Sequence, residues 1–393
     1  MFGKILTALD NSKYSDWGAE AALAIGGVFM SEITGCHVYA AKLHESRFMD
    51  METGLPQEYQ SEAVLARQRT IHESLIAKGL GIISDSYLDK FEALAAAKGT
   101  GNIKRKNREG KNYSELIAEA TEGGYGLVVM GGLGMGTVES SLLGGVCERV
   151  ARHISADMLV LKTPSFDDRI LVGIDGSPCS YAALMAAIGL KKVFGGEVEA
   201  VAAFDPYFHQ VAFRNIAGAL SEEAAKVFKF KEQEKLHDEI IDKGLAKLYQ
   251  AHLDTAYKVA KARGVEIKTT LLAGKSFNEI LKAVHERKAS FAVVGRHGLH
   301  KAAIPLMGNT AENVLRLAPA NVFVASGEFK IEDKSSQGGI TLEWTPSAIA
   351  RLDKIPVFAR GMAVKAIEDF ASEKGHREIT DEIVDEAKKR FGM

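Results

Sequence analysis

Two long stretches of this chain repeat one another, and a repeat of that length decides the architecture before any single element is read. Ile5-Leu6-Thr7-Ala8-Leu9-Asp10-Asn11-Ser12 returns as Ile170-Leu171-Val172-Gly173-Ile174-Asp175-Gly176-Ser177. Leu127-Val128-Val129-Met130-Gly131-Gly132-Leu133-Gly134 returns as Ala292-Val293-Val294-Gly295-Arg296-His297-Gly298, aligned at the strand end. A constant offset of 164 residues carries Gly131 to Gly295, Gly134 to Gly298, Gly144 to Gly308, Glu148 to Glu312, Arg152 to Arg316 and Val160 to Val324. Gly110-Lys111 and Gly274-Lys275 keep the same offset. Chance does not hold so many glycines in register without a gap, so two copies of one domain are expected over residues 1–162 and 169–326. A third segment remains at 340–393. The 393 residues also exceed what one hydrophobic core usually organises.

Within a copy the order is strand, helix, strand, long helical stretch, strand, helix, strand, glycine loop, helix, strand. Short apolar runs that alternate with helical patterns imply a mainly parallel sheet covered on both faces. In the second copy strands are expected near Ile170–Ile174, Val198–Phe204, Val265–Leu272, Phe291–Val294 and Val322–Ala325. The helical stretches Glu58–Ala97 and Ser221–Arg263 exceed what the sheet needs and are candidates to shape a pocket, an interface or a solvated helix pair.

Composition narrows the function classes. The formal net charge is −2, so polyanion binding would need a local patch. The longest mostly apolar stretch, Ala19 to Phe29, is too short to span a bilayer, which needs about 18 residues or more. A soluble, cytoplasmic, untargeted protein is expected, with neither nucleic acid nor membrane as partner. Cys36, Cys147 and Cys179 lie far apart without Cys-x-x-Cys spacing, so buried free thiols are expected rather than a disulfide or zinc site.

In each copy a buried strand ends in Gly-x-x-Gly, nine residues follow, and a further glycine opens a helix. The series are Gly131, Gly134, Gly144 and Gly295, Gly298, Gly308. Glycine permits close backbone approach and positive φ, and a helix N-terminus adds unpaired N–H groups and its dipole, so the pattern is a phosphate cradle in principle. Ligands of open parallel sheets lie at the carboxyl ends of strands where strand order reverses, and Asp175 would border that crevice. A carboxylate there can accept ribose hydroxyls or hold a metal.

The strand-Asp-Gly-Ser start and the Gly-x-x-Gly-x9-Gly signature resemble the universal stress protein family. The resemblance covers both repeats. It implies tandem doubly wound domains of five parallel strands, of the adenine-nucleotide alpha-hydrolase type, each able to pair with a copy through its last strand. Here the two copies of one chain would pair, with Leu159–Leu161 antiparallel to Val322–Val324 across a pseudo-twofold axis, and a further homodimer stays open. For the ATP-binding branch it implies adenosine near the first strand's Asp and phosphates in the glycine loop, and it places Ser or Thr after the third glycine. This chain has Gly145 and Asn309 there. Asn can still donate to phosphate.

Charge separates the copies further. No Lys, Arg or His lies between Gly131 and Cys147, and Glu139 adds negative charge. The second copy carries Arg296, His297, His300 and Lys301 in its loop. Charge-assisted contacts are worth about 1.5–3 kcal/mol each, so the second copy is expected to hold ATP or AMP, with or without Mg2+. Its site is Asp175, Gly176, Ser177, Gly295, Arg296, His297, Gly298, His300, Lys301, Gly308, Asn309 and Thr310. A weaker or differently liganded site would use Asp10, Gly131, Gly134, Gly144 and Gly145.

After Val324 the run Glu332-Asp333-Lys334-Ser335-Ser336-Gln337-Gly338-Gly339 reads as a polar linker. Beyond it, Thr345-Pro346 suits a helix start, Gly375 a helix end, and Thr380 with Asp381 and Glu382 a final helix start. A small all-α domain is expected, with Trp344, Ile349, Leu352, Ile355, Phe358, Ala363, Ile367, Phe370, Ile379, Ile383 and Ala387 as its core. Trp344-Thr345-x2-Ala348-x3-Leu352-x2-Ile355-Pro356-x-Phe358-x-Arg360, with Ile367-Glu368, Gly375 and Ile379-Thr380, resembles the C-terminal domain of the light-independent protochlorophyllide reductase B subunit. Its reduction chemistry resides in other domains and iron–sulfur clusters. A docking module for an unknown protein partner or a tetrapyrrole is the reading, beside a stabilising appendage.

The sequence has no Walker loop, nucleophile elbow or paired metal-ligand histidines. Three readings follow: a nucleotide-binding stress sensor or adaptor, a slow ATPase, and a nucleotide-free scaffold.

Overall fold

The computed structural model describes residues 2–138, 140–206, 242–299, 307–331, 342–352, 357–376 and 378–391. Apolar runs that end in a turn form the strands. In the first copy β1 (Lys4–Ala8), α1 (Lys13–Phe29), β2 (Glu32–Tyr39), α2 (Ala41–Met51), α3 (Glu62–Ala97), β3 (Ile103–Glu109), α4 (Asn112–Glu122), β4 (Leu127–Gly131), α5 (Gly145–His153) and β5 (Asp157–Leu161) follow in order. The second copy repeats them as β6 (Ile170–Gly173), α6 (Pro178–Phe194), β7 (Val198–Phe204), α7 (Asp242–Lys261), β8 (Lys268–Ala273), α8 (Ser276–Glu286), β9 (Phe291–Gly295), α9 (Asn309–Leu317) and β10 (Asn321–Ala325). The α2 helix lies outside the expected helical stretch and has no strong signal in the sequence. The part of the Ser221–Arg263 stretch before Asp242 lies outside the described residues.

Each half-sheet is parallel, in the order β3-β2-β1-β4-β5 and its repeat β8-β7-β6-β9-β10. Alternate side chains of the inner strands enter opposite cores. Ile5, Leu127 and Val129 pack against α1 and α3 on one face, while Leu6, Val128 and Val160 pack against α4 and α5 on the other. Burial on both faces is why these strands read as unbroken apolar runs. The helices start where hydroxyls cap them: Ser12 Oγ accepts Ser15 N at 3.2 Å, and Ser177 Oγ accepts Ser180 N at 3.1 Å.

The halves join at β5 and β10, which run antiparallel with Val322 opposite Val160, Phe323 opposite Leu159 and Val324 opposite Met158. The expected seam is therefore present, and ten strands form one sheet. Side chains 164 residues apart repeat across it. Asp157 Oδ1 accepts Ser326 N at 2.7 Å, and Asn321 Oδ1 accepts Lys162 N at 2.9 Å. Lys162 Nζ donates to Arg316 O and Ala318 O at the carboxyl end of α9, a favourable place for a cation. Glu148, Arg152, Glu312 and Arg316 close a charge quartet between α5 and α9.

Residues 331–393 form a separate unit. It holds β11 (Glu343–Trp344), α10 (Pro346–Leu352), α11 (Val357–Glu373), β12 (Glu378–Ile379) and α12 (Asp381–Phe391). Thr345 Oγ1 accepts Ala348 N at 3.2 Å, and Gly375 ends α11 at φ +75°. To the expected helices the structure adds a short parallel ladder, with Trp344 beside Ile379. Ala348, Ile367, Phe370, Ile379, Ile383 and Ala387 are buried, whereas Ile349 is 51% exposed and leaves the expected core. The side chains of Ile355 and Phe358 lie outside the described ones. Among the described residues no helix is long and apolar enough to cross a membrane.

Candidate functional site

Strand order reverses between β1 and β4, and again between β6 and β9, and each reversal opens a crevice at the carboxyl ends of those strands. The first crevice encloses about 260 Å3 and the second about 300 Å3. Asp10 and Asp175 stand at their floors. Each carboxylate is held by its own turn: Asp10 Oδ1 accepts Ser12 N at 3.0 Å, and Asp175 Oδ1 accepts Ser177 N at 3.0 Å and the Ser177 hydroxyl at 2.6 Å. The residue after each Asp is left-handed, Asn11 at φ 60° and Gly176 at φ 84°. That turn leaves the second oxygen aimed at the glycine loop. A Cβ placed on Gly134 would lie 2.7 Å from Asp10 Oδ2, and one on Gly298 2.7 Å from Asp175 Oδ2.

Close approach, not positive φ, is what requires these glycines. None of the six adopts the left-handed conformation expected of a cradle. A Cβ on Gly131 would press on Tyr14, and one on Gly295 on the Cys179 backbone, so the first glycine of each triad seats the strand on the following helix. The third closes the loop, with Gly144 N donating to Gly132 O at 2.7 Å and Gly308 N to Arg296 O at 2.8 Å.

The second crevice gathers Asp175, Gly295, His297, Gly298, Gly308, Asn309 and Thr310 as expected, and adds Tyr249 and Ser276. Gly176 and Ser177 form the turn beside it, and the Ser177 hydroxyl also reaches His297 O at 3.4 Å. Asn313 Nδ2 donates to Asn309 Oδ1 at 2.7 Å, which turns the Asn309 NH2 away from that bond. The first crevice gathers Asp10, Gly131, Gly134, Gly144 and Gly145, with Val146 where the second has Thr310. His300, Lys301 and Glu139 lie outside the described residues.

Arg296 corrects the expectation drawn from charge. Its guanidinium does not serve the cradle; it donates to Ala151 O at 2.7 and 2.6 Å, to Ile154 O, and to Ser326 Oγ at 3.1 Å. The side chain caps the carboxyl end of α5 across the seam, and the residue is 5% exposed. Only its backbone shapes the loop. Lys162 does the same service for α9, so each helix end receives one cation from the opposite copy.

Sequence reasoning missed two histidines, one in each copy. His252, on α7, lies against the Gly176 turn so closely that a Cβ there would strike its ring, and its Nε2 is buried without a hydrogen-bond partner. In the first copy His37, at the end of β2, lines the crevice and packs edge-on to Tyr87 at 4.9 Å. Burial pulls both imidazoles below their ordinary pKa, against the opposing charges of Asp175 and Asp10. Burial also pushes the thiols of Cys36 and Cys147, which line the first crevice, up to about 12. These positions have no spacing that links them to the glycine signature. Among the described residues no group of three or more His, Cys, Asp or Glu could hold a metal.

Comparison with known proteins agrees with this geometry. The C-terminal unit matches the family model described as proto-chlorophyllide reductase 57 kD subunit over residues 344–388. It is 45% identical over 56 residues to the B subunit of light-independent protochlorophyllide reductase from Halorhodospira halophila, and a 101-residue stretch is 35% identical to the B subunit from Synechococcus sp. RCC307. The matches take 14% and 26% of this chain but only 11% and 17% of those subunits. A universal stress protein of Methanocaldococcus jannaschii is 29% identical over 156 residues, 40% of this chain and 80% of that one. Among solved structures, a universal stress protein from Archaeoglobus fulgidus superposes with a TM-score of 0.51 at 18% identity, over 83% of this chain and 98% of that chain. A putative one from Pseudomonas aeruginosa gives 0.50 at 12% identity, over 82% and 93%. These two show the shared fold. The model of the universal stress protein family itself matches residues 1–162 and again 168–326, and with both crevices built on one plan the chain belongs to that family, as a tandem pair in a single ten-stranded sheet.

Proposed function

We propose that the protein is an adenine-nucleotide-responsive sensor or adaptor of the cytoplasm, with ATP or AMP held mainly in the second crevice. The observation that carries this reading is the paired difference at the helix starts: Asn309 and Thr310 offer polar side chains at α9, where Gly145 and Val146 stand at α5. Phosphate oxygens would meet the first N–H groups of α9, the Asn309 amide and the Thr310 hydroxyl. Ribose hydroxyls would meet Asp175 Oδ2. A single carboxylate offers little to a cation, so Mg2+ would travel on the phosphates and keep several waters. Asp175 is tied into its turn by Ser177, which suits binding rather than proton transfer.

The C-terminal unit supplies the adaptor half of the proposal. Trp344 Nε1 donates to Glu368 Oε1 at 3.1 Å, so two residues of the shared motif hold the fold of the unit together. Its outer face would dock a partner.

The test is calorimetric titration with ATP, ADP, AMP and cyclic nucleotides, beside mass analysis of whatever denatured protein releases. Gly298→Val drives a side chain onto Asp175 and should abolish nucleotide binding, while Gly134→Val should spare it. The reverse pattern would assign the nucleotide to the first copy, and no binding in either would leave a scaffold.

A further inference from the structure

The first crevice holds a histidine polarised through a chain of hydrogen bonds. His37 Nδ1 lies 2.8 Å from Ser84 Oγ, the Ser84 hydroxyl donates to Asn107 Oδ1, and Asn107 Nδ2 donates to Asp85 Oδ1 at 2.9 Å. Arg105 holds the Asp85 carboxylate at 2.9 Å. The direction of this relay is forced from its far end. An ionised carboxylate can only accept, so the Asn107 amide must give it the NH2 group, which turns Oδ1 toward Ser84. Ser84 has one proton and spends it there, so toward His37 its oxygen can only accept. His37 must then carry its proton on Nδ1, which leaves Nε2 as a bare acceptor on a ring that lines the crevice.

The matching positions of the second copy do not build this relay. Positions 165 residues after His37 and Ser84 hold Ala202 and Tyr249, the same spacing that takes Asp10 to Asp175. In the β2–β3 ladder His37 pairs with Asn107, and in the β7–β8 ladder Ala202 pairs with Leu271. The two crevices share the glycine loop and the Asp turn and differ at this position. Among its described lining residues the first crevice has no lysine or arginine, and one carboxylate, Asp10. A lining that offers His37 Nε2 and Asp10 Oδ2 as acceptors, with no cation among its described residues, favours a ligand rich in N–H and O–H donors over an anion.

On these grounds, and accepting the reading that the glycine-loop crevices are ligand sites, we infer that the first copy binds an uncharged, amine-bearing nucleoside, with the base amine donating to His37 Nε2 and the sugar hydroxyls to Asp10. Apolar walls such as Leu9, Val38 and Met130 suit the faces of a heterocycle. Burial keeps the imidazole below its ordinary pKa, in accord with the neutral ring that the relay requires.

The experiment uses the full chain carrying Gly298→Val, so that only the first crevice reports. Adenosine should bind at one site per chain. Inosine, which lacks the amine, and AMP, which adds charge, should each bind at least about tenfold more weakly, since a site built around a donor rejects the analogue without it. His37→Phe keeps the edge-on contact with Tyr87 but removes the acceptor, and should cost adenosine at least about tenfold. Ser84→Ala frees the ring to change tautomer and should weaken adenosine several-fold. Nitrogen-15 shifts of His37 should show a protonated Nδ1 in the parent and a mixture in Ser84→Ala. Binding of AMP as tight as adenosine, equal binding of inosine, an unaffected His37→Phe chain with its fold intact, or no adenosine binding at all would each overturn the inference. Adenosine binding that persists when the unmodified chain takes no nucleotide in its second copy would sink the proposed function and leave this inference standing.

Discussion

Replacing Arg296 with Met separates two roles that charge alone confuses. In the structure its guanidinium is buried and gives its hydrogen bonds to Ala151 O, Ile154 O and Ser326 Oγ. Methionine fills much of the volume but strands two carbonyls at the end of α5, where Ala151 is fully buried and Ile154 is 4% exposed. Each unsatisfied buried acceptor costs about 1–3 kcal/mol, and the lost cation at a helix end adds up to about 2 kcal/mol. Removing a buried guanidinium relieves part of this by ending its desolvation. A net loss of about 3 kcal/mol is expected, read from denaturant midpoints or as a Tm fall of about 6–12 °C. Arg296→Lys keeps the charge but not the fork and should fall between. ATP affinity should stay within threefold in both. If Arg296→Met instead holds its stability within 0.5 kcal/mol, the threshold of an ordinary surface change, and loses ATP tenfold, the side chain serves phosphate and the assignment to the seam is wrong.

Further outcomes follow from other features. The charge quartet is partly exposed, with Glu148 at 29% and Glu312 at 37%, so Glu148→Gln with Glu312→Gln should cost only about 1 kcal/mol, and 1 M salt should erase most of the difference. Cys36 and Cys147, buried and pushed up to about 12, should react with a disulfide reagent only as the chain unfolds; prompt labelling of both in native protein would show the first crevice to be open to its floor. His37 and His252 have folded pKa values below 6.5, so the unfolded chain takes up protons first as pH falls; stability should be full above about pH 6.5 and decline below it. His37→Phe with His252→Phe should flatten that decline between pH 6.5 and 5 in urea titrations, and an unchanged slope would refute it. Removing residues 340–393 should leave ATP affinity within threefold while a cellular capture experiment loses a partner; a hundredfold loss of affinity would mean that the helices contribute to nucleotide binding.

Much of the fold was legible because it rests on local, periodic signals. The 164-residue register, the buried runs ending in Asp and the Gly-x-x-Gly-x9-Gly spacing lead to the sheets and both crevices, while the seam is what the family resemblance implies. What failed to show was direction. Arg296 sits in a loop whose charge suggested phosphate, but a side chain just past the end of β9 can face its own crevice or the neighbouring copy, and only the packed seam decides. The relay of His37, Ser84 and Asn107 joins β2, α3 and β3, whose separations obey no periodicity. Ile349 matched a helical core pattern, yet a seven-residue helix has one buried turn, and Ala348 takes it.

The antiparallel seam has a consequence for how occupancy can be read out. Every strand of the first copy points one way and every strand of the second points the other, so the mouths of the two crevices open on opposite edges of the sheet. Four strand spacings separate the switch points sideways, roughly 19 Å at about 4.8 Å each. One flat partner surface cannot lie over both mouths. With ligands in both crevices, as proposed, a second partner, or a second copy of the same partner, would be needed to sense both at once, and either end could be blocked without silencing its opposite.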